Sequence, residues 1–307
     1  MLLVAYVWVG HLLLVRNSEK YQEILSAIKD WYEPARVKIF ITYYKPYQMP
    51  VTTKILVPIQ VGRAVAREPF MDGELSEEDV QFMRQRMIGD DTGENISAKN
   101  RTFDVLTAYY WVWKNYKKIG NPKYIGFLAH RKLLHFSMRN YLVLDVNKPD
   151  YGYDEKQLTD ILKRHQVITS YWVPYYVQGE ENIGISFYQN YKDFHHVEDI
   201  DFMISFIEKN YPEMVPSMNK VLYDVGRAYP VWNFWIMEKE LAFDYFEKLF
   251  PLMFALEKER GKEIAQYDLK QRRVCGYLAE RFFAIWLLYQ QEVGRVTDPF
   301  YAPIFYL

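Results

Sequence analysis

The alternation of apolar runs with helical segments constrains the fold of this chain more than any other feature. Runs rich in β-branched and aromatic residues, such as VKIFITYY and KILVPIQVG, alternate with segments whose apolar residues recur at helical spacing. Parallel strands need a crossover connection, which is usually a helix. This order therefore predicts an α/β fold in which helices cover both faces of a mostly parallel central sheet, a three-layer α/β/α sandwich.

The same patterns locate the individual elements. One helix is expected at SEEDVQFMRQRM with Ser76 as its N-cap, and another is expected after a Thr102 cap, with an apolar face that runs from Phe103 to Trp113. The remaining predicted strands are YIGFLAHRKLLHF, QVITSYWVPYY and VWNFWIM, and the remaining predicted helices span 156–164, 199–210, 238–257 and 270–290.

Length and composition limit the number of domains and the classes of partner. The 307 residues fit one large domain at 37–307, preceded by a strand–helix extension at 1–36 whose apolar start is too short to cross a membrane as a helix. Because 38 Lys and Arg residues balance 39 Asp and Glu residues, no nucleic-acid partner is expected. The single cysteine, Cys275, fits a reducing compartment, so we expect a cytoplasmic protein, with contact at the inner face of the plasma membrane left open.

Polar side chains follow several of the predicted strands. In an open α/β sheet, ligands bind in the crevice at the carboxyl ends of the strands, so these side chains are the first candidates for a site. The candidate clusters are Tyr43-Tyr44-Lys45, the stretch from Asp90 to Asn95, His130-Arg131-Lys132, and the run YQNYKDFHHVEDID.

The loop GDDTGENIS has two interpretations. As a ligand loop, Asp90 and Asp91 would accept hydrogen bonds from a base, a ribose or a sugar hydroxyl, Gly93 would let a ligand approach the backbone, and Asn95 would donate. As an ordinary turn, the same Asp and Asn side chains would bond their own backbone.

The pair His195-His196, followed by Glu198-Asp199, resembles a metal site at first sight. Adjacent side chains diverge on a helix or a strand, so both imidazoles rarely reach one ion, and zinc is not expected. The alternative is that one imidazole contacts substrate while Asp199 either caps the next helix or acts as a base.

Seven blocks resemble, in order, a bacterial family long catalogued as a domain of unknown function and met in capsular polysaccharide, exopolysaccharide and lipopolysaccharide loci. The blocks are VKIFITYYKPYQMP, DDTGENIS, LTAYYWVWKN, YIGFLAHRK, YKDFHHVEDID, NFWIM and QRRVCGYLAERFFAIWL, and they cover about residues 37–290. The resemblance implies a GT-A-like fold and a glycosyltransferase, in some members a galactofuranosyltransferase that uses UDP-galactofuranose. The acceptor implied is a lipid-linked glycan or an oligosaccharide.

The cationic block departs from the family pattern and bears on the cofactor. The family usually has Asp-Tyr-Ile-Gly and then His-Tyr-Arg-Arg, whereas this chain has Lys123, Ala129, His130 and Arg131-Lys132 at the corresponding positions. Typical GT-A enzymes carry Asp-x-Asp here to hold a divalent ion against the departing diphosphate. Arg131 and Lys132 can neutralise that charge themselves, so we expect no cofactor and no dependence on manganese or magnesium. A solvated cationic patch is the alternative, and Asp145-Val146-Asn147 is the nearest match to Asp-x-Asp.

An inverting transfer needs a carboxylate that takes the proton of the acceptor hydroxyl. The resemblance makes Glu280 the first candidate and Asp199 the second, with Asn233 and Arg273 as further substrate ligands. Glu280 as a buried partner of Arg273 or Arg281 is the structural alternative. At the level of function, the alternatives are a noncatalytic protein that binds nucleotide sugars or glycans and a nucleotidyltransferase, although the glycine-rich loop of the latter is missing.

Overall fold

The computed structural model describes residues 34–47, 53–134, 153–173, 175–177, 180–225, 228–230 and 232–306. The strand and helix expected near the N-terminus, and the Asp145-Val146-Asn147 stretch, lie outside these residues.

Most of the described strands join one large sheet. The strands are β1 (Val37–Tyr43), β2 (Leu56–Gln60), β3 (Ile88–Gly89), β4 (Tyr124–Ala129), β5 (Lys132–Leu134), β6 (Val167–Ser170), β7 (Trp172–Val173), β8 (Tyr175–Val177), β9 (Glu180–Ile185), β10 (Tyr229–Pro230), β11 (Trp235–Glu238), β12 (Phe300–Ala302) and β13 (Ile304–Tyr306). The main path of the sheet runs β12–β6–β11–β4–β1–β2–β3, with β5 bridging β4 and β13 at one side. Along this path every described pair is parallel except the two that β11 makes with β4 and β6, so the predicted mostly parallel sheet is confirmed.

The described helices are α1 (Glu77–Arg86), α2 (Asn100–Phe103), α3 (Leu106–Lys114), α4 (Glu155–His165), α5 (Phe187–Phe194), α6 (Val197–Asn210), α7 (Val215–Tyr223), α8 (Lys239–Ile264) and α9 (Val274–Glu292). The Ser76 cap is confirmed, because its side chain accepts a hydrogen bond from Asp79 N and the Asp79 carboxylate accepts one from Ser76 N. The Thr102 cap is wrong: Thr102 lies inside α2, and α3 starts only at Leu106.

Helices cover both faces of the sheet. Alternate residues of β1 point to opposite sides, so Phe40 joins one core cluster with α3, α8 and α9, while Ile39 and Ile41 join another with Met83 of α1 and Leu158 of α4. The three-layer α/β/α arrangement follows from this division. Many of the aromatic side chains fill these cores, and the fully buried ones include Trp111, Trp235, Trp286, Tyr109 and Tyr245.

Three strands bring polar segments to one edge of the sheet. β1 and β4 are parallel, so the segments after Tyr43 and Ala129 leave the sheet on the same side. β11 is antiparallel to β4, so the segment before Trp235 enters at that edge.

In the part of the chain that the structure describes, no helix combines the length and the apolar character needed to cross a membrane.

Candidate active site

A cavity of about 260 Å³ lies at the edge where β1 and β4 end and β11 begins. Its polar lining comes from the end of β1, the turn after β4, the segment before β11, the start of α9 and the break between α2 and α3. The lining residues that carry polar or charged groups are Thr42, Tyr44, Asp104, Tyr109, His130, Arg131, Lys132, Trp232, Asn233, Arg273 and Glu280.

The cationic wall is a two-residue turn. β4 pairs with β5 through Ala129 and Lys132, which leaves His130 and Arg131 as the turn between the two strands. The Arg131 guanidinium lies over the ring of Tyr47, 5.3 Å from its centroid, and has no carboxylate partner among the described residues. The Lys132 ammonium lies 4.7 Å from the centroid of the Trp232 ring, and burial lowers its pKa. The predicted pair of cations therefore lines the cavity.

His130 is neutral rather than cationic. Burial lowers its pKa to about 4, and its ring stacks on Tyr47 with the centroids 4.2 Å apart. Its Nδ1 lies 3.2 Å from the carbonyl oxygen of Thr42, which only accepts, so Nδ1 carries the proton. The other nitrogen, Nε2, is buried and makes no hydrogen bond with the described residues. His130 thus lines the cavity without the positive charge that the sequence suggested.

The start of α9 forms another part of the cavity lining. Arg273 is the N-cap residue of α9, and Glu280 lies two turns further along on the same side of the helix. One oxygen of Glu280 accepts a hydrogen bond from Arg281 Nη1 at 3.0 Å, and its other oxygen makes no hydrogen bond within the described residues. Burial raises the pKa of the Glu280 carboxyl, although the Arg281 guanidinium opposes the shift. The structure therefore combines the two sequence interpretations, because Glu280 both pairs with Arg281 and lines the cavity.

Asp104 is a cavity residue that the sequence analysis missed. Arg273 Nη2 donates to Asp104 Oδ2 at 2.7 Å, and this contact raises the pKa of Arg273. A Cβ on Gly276 would lie 2.6 Å from the same oxygen, so Gly276 leaves room for this side chain. The backbone of Asp104 has φ 51° and ψ −133°, which breaks the helix between α2 and α3. Helical spacing from Phe103 to Trp113 concealed this break, since an apolar pattern tolerates one irregular residue.

The segment before β11 adds a buried polar side chain. Asn233 is 8% exposed, its Nδ2 donates to Gly276 O at 3.1 Å, and its Oδ1 is buried without a hydrogen bond among the described residues. Trp232 beside it has φ 67°, an unusual value for a bulky side chain. Of the four positive-φ residues other than glycine in the described part of the chain, Asp104 and Trp232 line this cavity.

The acidic loop does not reach the cavity, contrary to the expectation of a ligand loop. Asp90 is fully buried, and its carboxylate accepts from Gly62 N at 2.7 Å, from Arg63 N at 3.1 Å and from Ser97 Oγ. Burial raises the pKa of Asp90, although these hydrogen bonds oppose the shift. Its oxygens are used to join three parts of the chain, which favours the ordinary-turn interpretation.

The two neighbouring polar side chains of the loop also lie away from the cavity. Asp91 Oδ1 is buried close to Gly89, where an added Cβ would lie 2.4 Å from it, and it makes no hydrogen bond within the described residues. Asn95 Nδ2 donates to Gly93 O at 3.0 Å and Asn95 Oδ1 accepts from Ser97 N at 3.1 Å, the self-bonding of an Asx turn. Neither residue lines the cavity.

The histidine pair and Asp199 lie elsewhere, between α6, α8 and the segment before α9. Asp199 is 1% exposed and accepts from Arg260 Nε at 2.8 Å. It occupies the first turn of α6 rather than the cap, and burial raises its pKa. His195 stacks on Tyr277, and His196 stacks on Tyr267 with the centroids 3.7 Å apart. These contacts brace the segment that leads to α9.

The two tyrosines after β1 have different surroundings. Tyr44 lines the cavity, and its hydroxyl donates to Asp72 at 2.9 Å. Tyr43 is fully buried in the core with α1 and α4 and does not line the cavity. Of this pair, only Tyr44 is therefore placed to contact a ligand.

The cavity lining does not fit the divalent ion of a typical GT-A site. Where Asp-x-Asp would stand, the turn after β4 presents Arg131, and the carboxylates of the lining are paired with arginines, Asp104 with Arg273 and Glu280 with Arg281. Within the described residues, no group of three or more His, Cys, Asp or Glu side chains has the geometry to hold a metal ion.

The sheet order, its antiparallel β11 and the cavity at its carboxyl edge define a GT-A-like fold, the architecture of a class of glycosyltransferases. The chain belongs to the family described as a domain of unknown function, DUF4422, whose model matches residues 38–291. This match confirms the resemblance inferred from the seven sequence blocks.

A solved structure supports the same assignment. The WbbM bifunctional glycosyltransferase in its apo form superposes with a TM-score of 0.68 and 25% sequence identity, covering 88% of this chain and 45% of the WbbM chain. This chain thus spans less than half of the WbbM chain, so the bifunctional activity is that of the longer protein. No curated protein sequence matches this chain.

Proposed function

We propose that this chain is a glycosyltransferase that moves a sugar from a UDP-linked donor to a glycan or lipid-linked acceptor in bacterial surface polysaccharide synthesis. Galactofuranose is the sugar we propose first, because some members of the family that the sequence blocks resemble use it. The observation that carries the proposal is that Arg131, Lys132 and Glu280 line one cavity. The similarity to a bifunctional glycosyltransferase supports it.

The cationic wall suits the leaving group. Transfer breaks the bond between the anomeric carbon and the phosphate oxygen, and the diphosphate departs with the electron pair. Arg131 grips phosphate oxygens well because its planar guanidinium can donate two parallel hydrogen bonds, and Lys132 adds a second positive charge. Fixed cations of this kind stabilise charge that develops in the transition state.

The Glu280 carboxylate suits the acceptor. In an inverting displacement, Glu280 takes the proton of the acceptor hydroxyl while that oxygen bonds to the anomeric carbon. The raised pKa of Glu280 makes it a stronger base than an exposed glutamate, and the hydrogen bond from Arg281 holds one of its oxygens in place. Its other oxygen makes no hydrogen bond within the described residues, which leaves it open to the hydroxyl.

We propose that this transfer needs no divalent metal ion. The proposal rests on the arginine at the Asp-x-Asp position and on the pairing of both cavity carboxylates with arginines. In this arrangement, the positive charge that other GT-A enzymes borrow from a metal comes from side chains.

A thermal-shift screen tests the proposal on the purified full chain. The probes are UDP, UDP-galactofuranose, UDP-galactose, UDP-glucose and UDP-N-acetylglucosamine, each with manganese and with EDTA. A ligand at 100 times its dissociation constant stabilises the folded state by ~2.7 kcal/mol, which a thermal scan resolves. We expect UDP and at least one UDP-sugar to raise the melting temperature equally in manganese and in EDTA.

Turnover separates an enzyme from a noncatalytic binding protein. Release of UDP from the bound UDP-sugar, with an oligosaccharide acceptor present, is expected from the native chain and is lost in Glu280→Gln. Binding without any release of UDP would favour the noncatalytic alternative. A stabilisation that requires manganese would overturn the metal-free part of the proposal.

A further inference from the structure

We propose that Asp104, together with Arg273, binds hydroxyl groups of the sugar that is transferred. This inference rests on the proposed function and adds to it the residue that recognises the sugar part of the donor. Three independent features of Asp104 carry the argument: its hydrogen bonds, its backbone conformation and its position between two compartments.

The Asp104–Arg273 pair offers both halves of a hydroxyl-binding site. Asp104 Oδ2 accepts from Arg273 Nη2 at 2.7 Å, while Oδ1 makes no hydrogen bond within the described residues. Within the described residues, the hydrogen bond that Arg273 Nη1 makes is to the sulfur of Met71 at 3.3 Å, and a thioether is a weak acceptor. The pair therefore presents an open acceptor beside a weakly engaged donor. Neighbouring sugar hydroxyls, each both donor and acceptor, match that combination.

The backbone of Asp104 is held in a conformation that only glycine adopts without strain. At φ 51° and ψ −133°, it lies outside the left-handed helical region that aspartate tolerates. Hydrogen bonds from Asp104 N to Asn100 O at 2.7 Å and from Asn100 Nδ2 to Asp104 O at 2.8 Å hold it there. A glycine at this position would relieve the strain, so aspartate at this position costs backbone strain that glycine would not.

The pair stands where two compartments meet. A side chamber lined by Phe70, Met71 and Leu269 adjoins the main cavity, and the two share Tyr44, Met71, Asp104 and Arg273. Arg131 and Lys132 line the main cavity but not this side chamber. A donor sugar lies between the diphosphate and the acceptor during transfer. Asp104 and Arg273 line the same main cavity as Arg131, Lys132 and Glu280, and the charges of both act on the Glu280 carboxyl. The pair is therefore placed to reach a sugar held between the two cations and the base.

The test compares the affinity for a nucleotide with that for a nucleotide sugar. Calorimetric titrations of UDP and of each UDP-sugar in the screen are made with the native chain and with Asp104→Asn. Asp160→Asn is the matched control, because Asp160 is a half-buried carboxylate of α4 that pairs with Lys163 away from the cavity. In Asp104→Asn we expect the affinity for the bound UDP-sugar to fall roughly tenfold or more, while the affinity for UDP stays within about twofold.

A second measurement tests the backbone argument without any ligand. Asp104→Gly and Asp104→Ala both remove the carboxylate, but only alanine keeps the strain. We expect Asp104→Gly to melt roughly 1–3 °C higher than Asp104→Ala, the reverse of the order at an ordinary helical position.

Each result decides a different question. Equal losses of UDP and UDP-sugar affinity in Asp104→Asn, or no loss of either, would overturn the inference while leaving the diphosphate site intact. A melting temperature of Asp104→Gly at or below that of Asp104→Ala would remove the strain argument. Failure of the native chain to bind UDP would instead contradict the proposed function.

Discussion

The acidic loop at residues 89–100 and the cavity wall formed by the β4–β5 turn and the start of α9 both carry charged side chains, but they use them differently. In the loop, Asp90 accepts three hydrogen bonds from other parts of the chain and Asn95 bonds its own turn. In the wall, Arg131 has no carboxylate partner among the described residues, and Glu280 leaves one oxygen without a hydrogen bond.

The two regions differ in which groups their polar side chains form hydrogen bonds with. A side chain whose oxygens are satisfied by the backbone contributes to the fold, and removing it leaves buried donors without partners. A charged side chain that stays open beside a cavity contributes little to the fold and remains available to a ligand. Substitutions in the loop should therefore change stability, whereas substitutions in the wall should change binding and turnover.

The largest effect is expected for Glu280→Gln. If Glu280 removes the proton of the acceptor, its loss should lower kcat by 10²–10⁴-fold, a typical range for general-base catalysis, because glutamine keeps the shape but cannot take a proton. The measurement is the initial rate of UDP release from the bound UDP-sugar with acceptor present.

Asp199→Asn is the matched control for Glu280→Gln. Because Asp199 pairs with Arg260 away from the cavity, this change should lower the melting temperature but leave kcat of the folded fraction within about threefold. A greater loss of kcat in Asp199→Asn than in Glu280→Gln would indicate that Asp199, rather than Glu280, is the base.

The pH dependence of turnover sharpens the same comparison. A base must be ionised, and burial raises the pKa of Glu280, so kcat/KM should fall about tenfold per pH unit as the pH drops below that raised value. The acid limb should therefore begin at a higher pH than the value of about 4.3 for an exposed glutamate. An acid limb at or below that value would argue against Glu280 as the base.

Asp90→Ala should have the largest effect on stability. Removal of this carboxylate leaves the buried N–H groups of Gly62 and Arg63 without their acceptor, at a cost of about 2–4 kcal/mol. Urea unfolding followed by tryptophan fluorescence measures the change. At a temperature where the variant is folded, its affinity for UDP should equal that of the native chain, and a selective loss of UDP binding would restore the ligand-loop interpretation.

Arg131→Gln should weaken UDP binding by roughly 10- to 100-fold with little change in the melting temperature. The reason is that Arg131 is exposed and its charge-assisted hydrogen bonds would be made to phosphate. Arg84→Gln, an exposed arginine of α1, is the control and should leave UDP affinity unchanged. Equal affinities for UDP in the two variants would contradict the placement of the diphosphate beside the turn.

The smallest effect is expected for Asn95→Ala. Its side chain is exposed and makes the two hydrogen bonds of a local turn, so the free energy of unfolding should fall by no more than about 1 kcal/mol. Calorimetric titration should show no change in UDP affinity. A tenfold loss of affinity would place the loop in the donor site after all.

The order of elements and the polar residues at strand ends were readable from the sequence, because hydrophobic periodicity and turn chemistry are local properties. Ser76 as a cap, the strand at Val37–Tyr43 and the helix that carries Glu280 follow from such signals. The cationic pair Arg131-Lys132 was also found in this way, since it directly follows the central strand.

The tertiary structure alone decided which polar residues meet. The partners of Asp90 lie at residues 62, 63 and 97, and Asp104 meets Arg273 across 169 positions of sequence, so no local pattern distinguishes the satisfied carboxylate from the open one. The break in the helix at Asp104 is equally invisible, because one residue with positive φ leaves the apolar spacing around it unchanged. Periodicity reports which face of an element is buried, whereas a site depends on contacts between elements that only folding brings together.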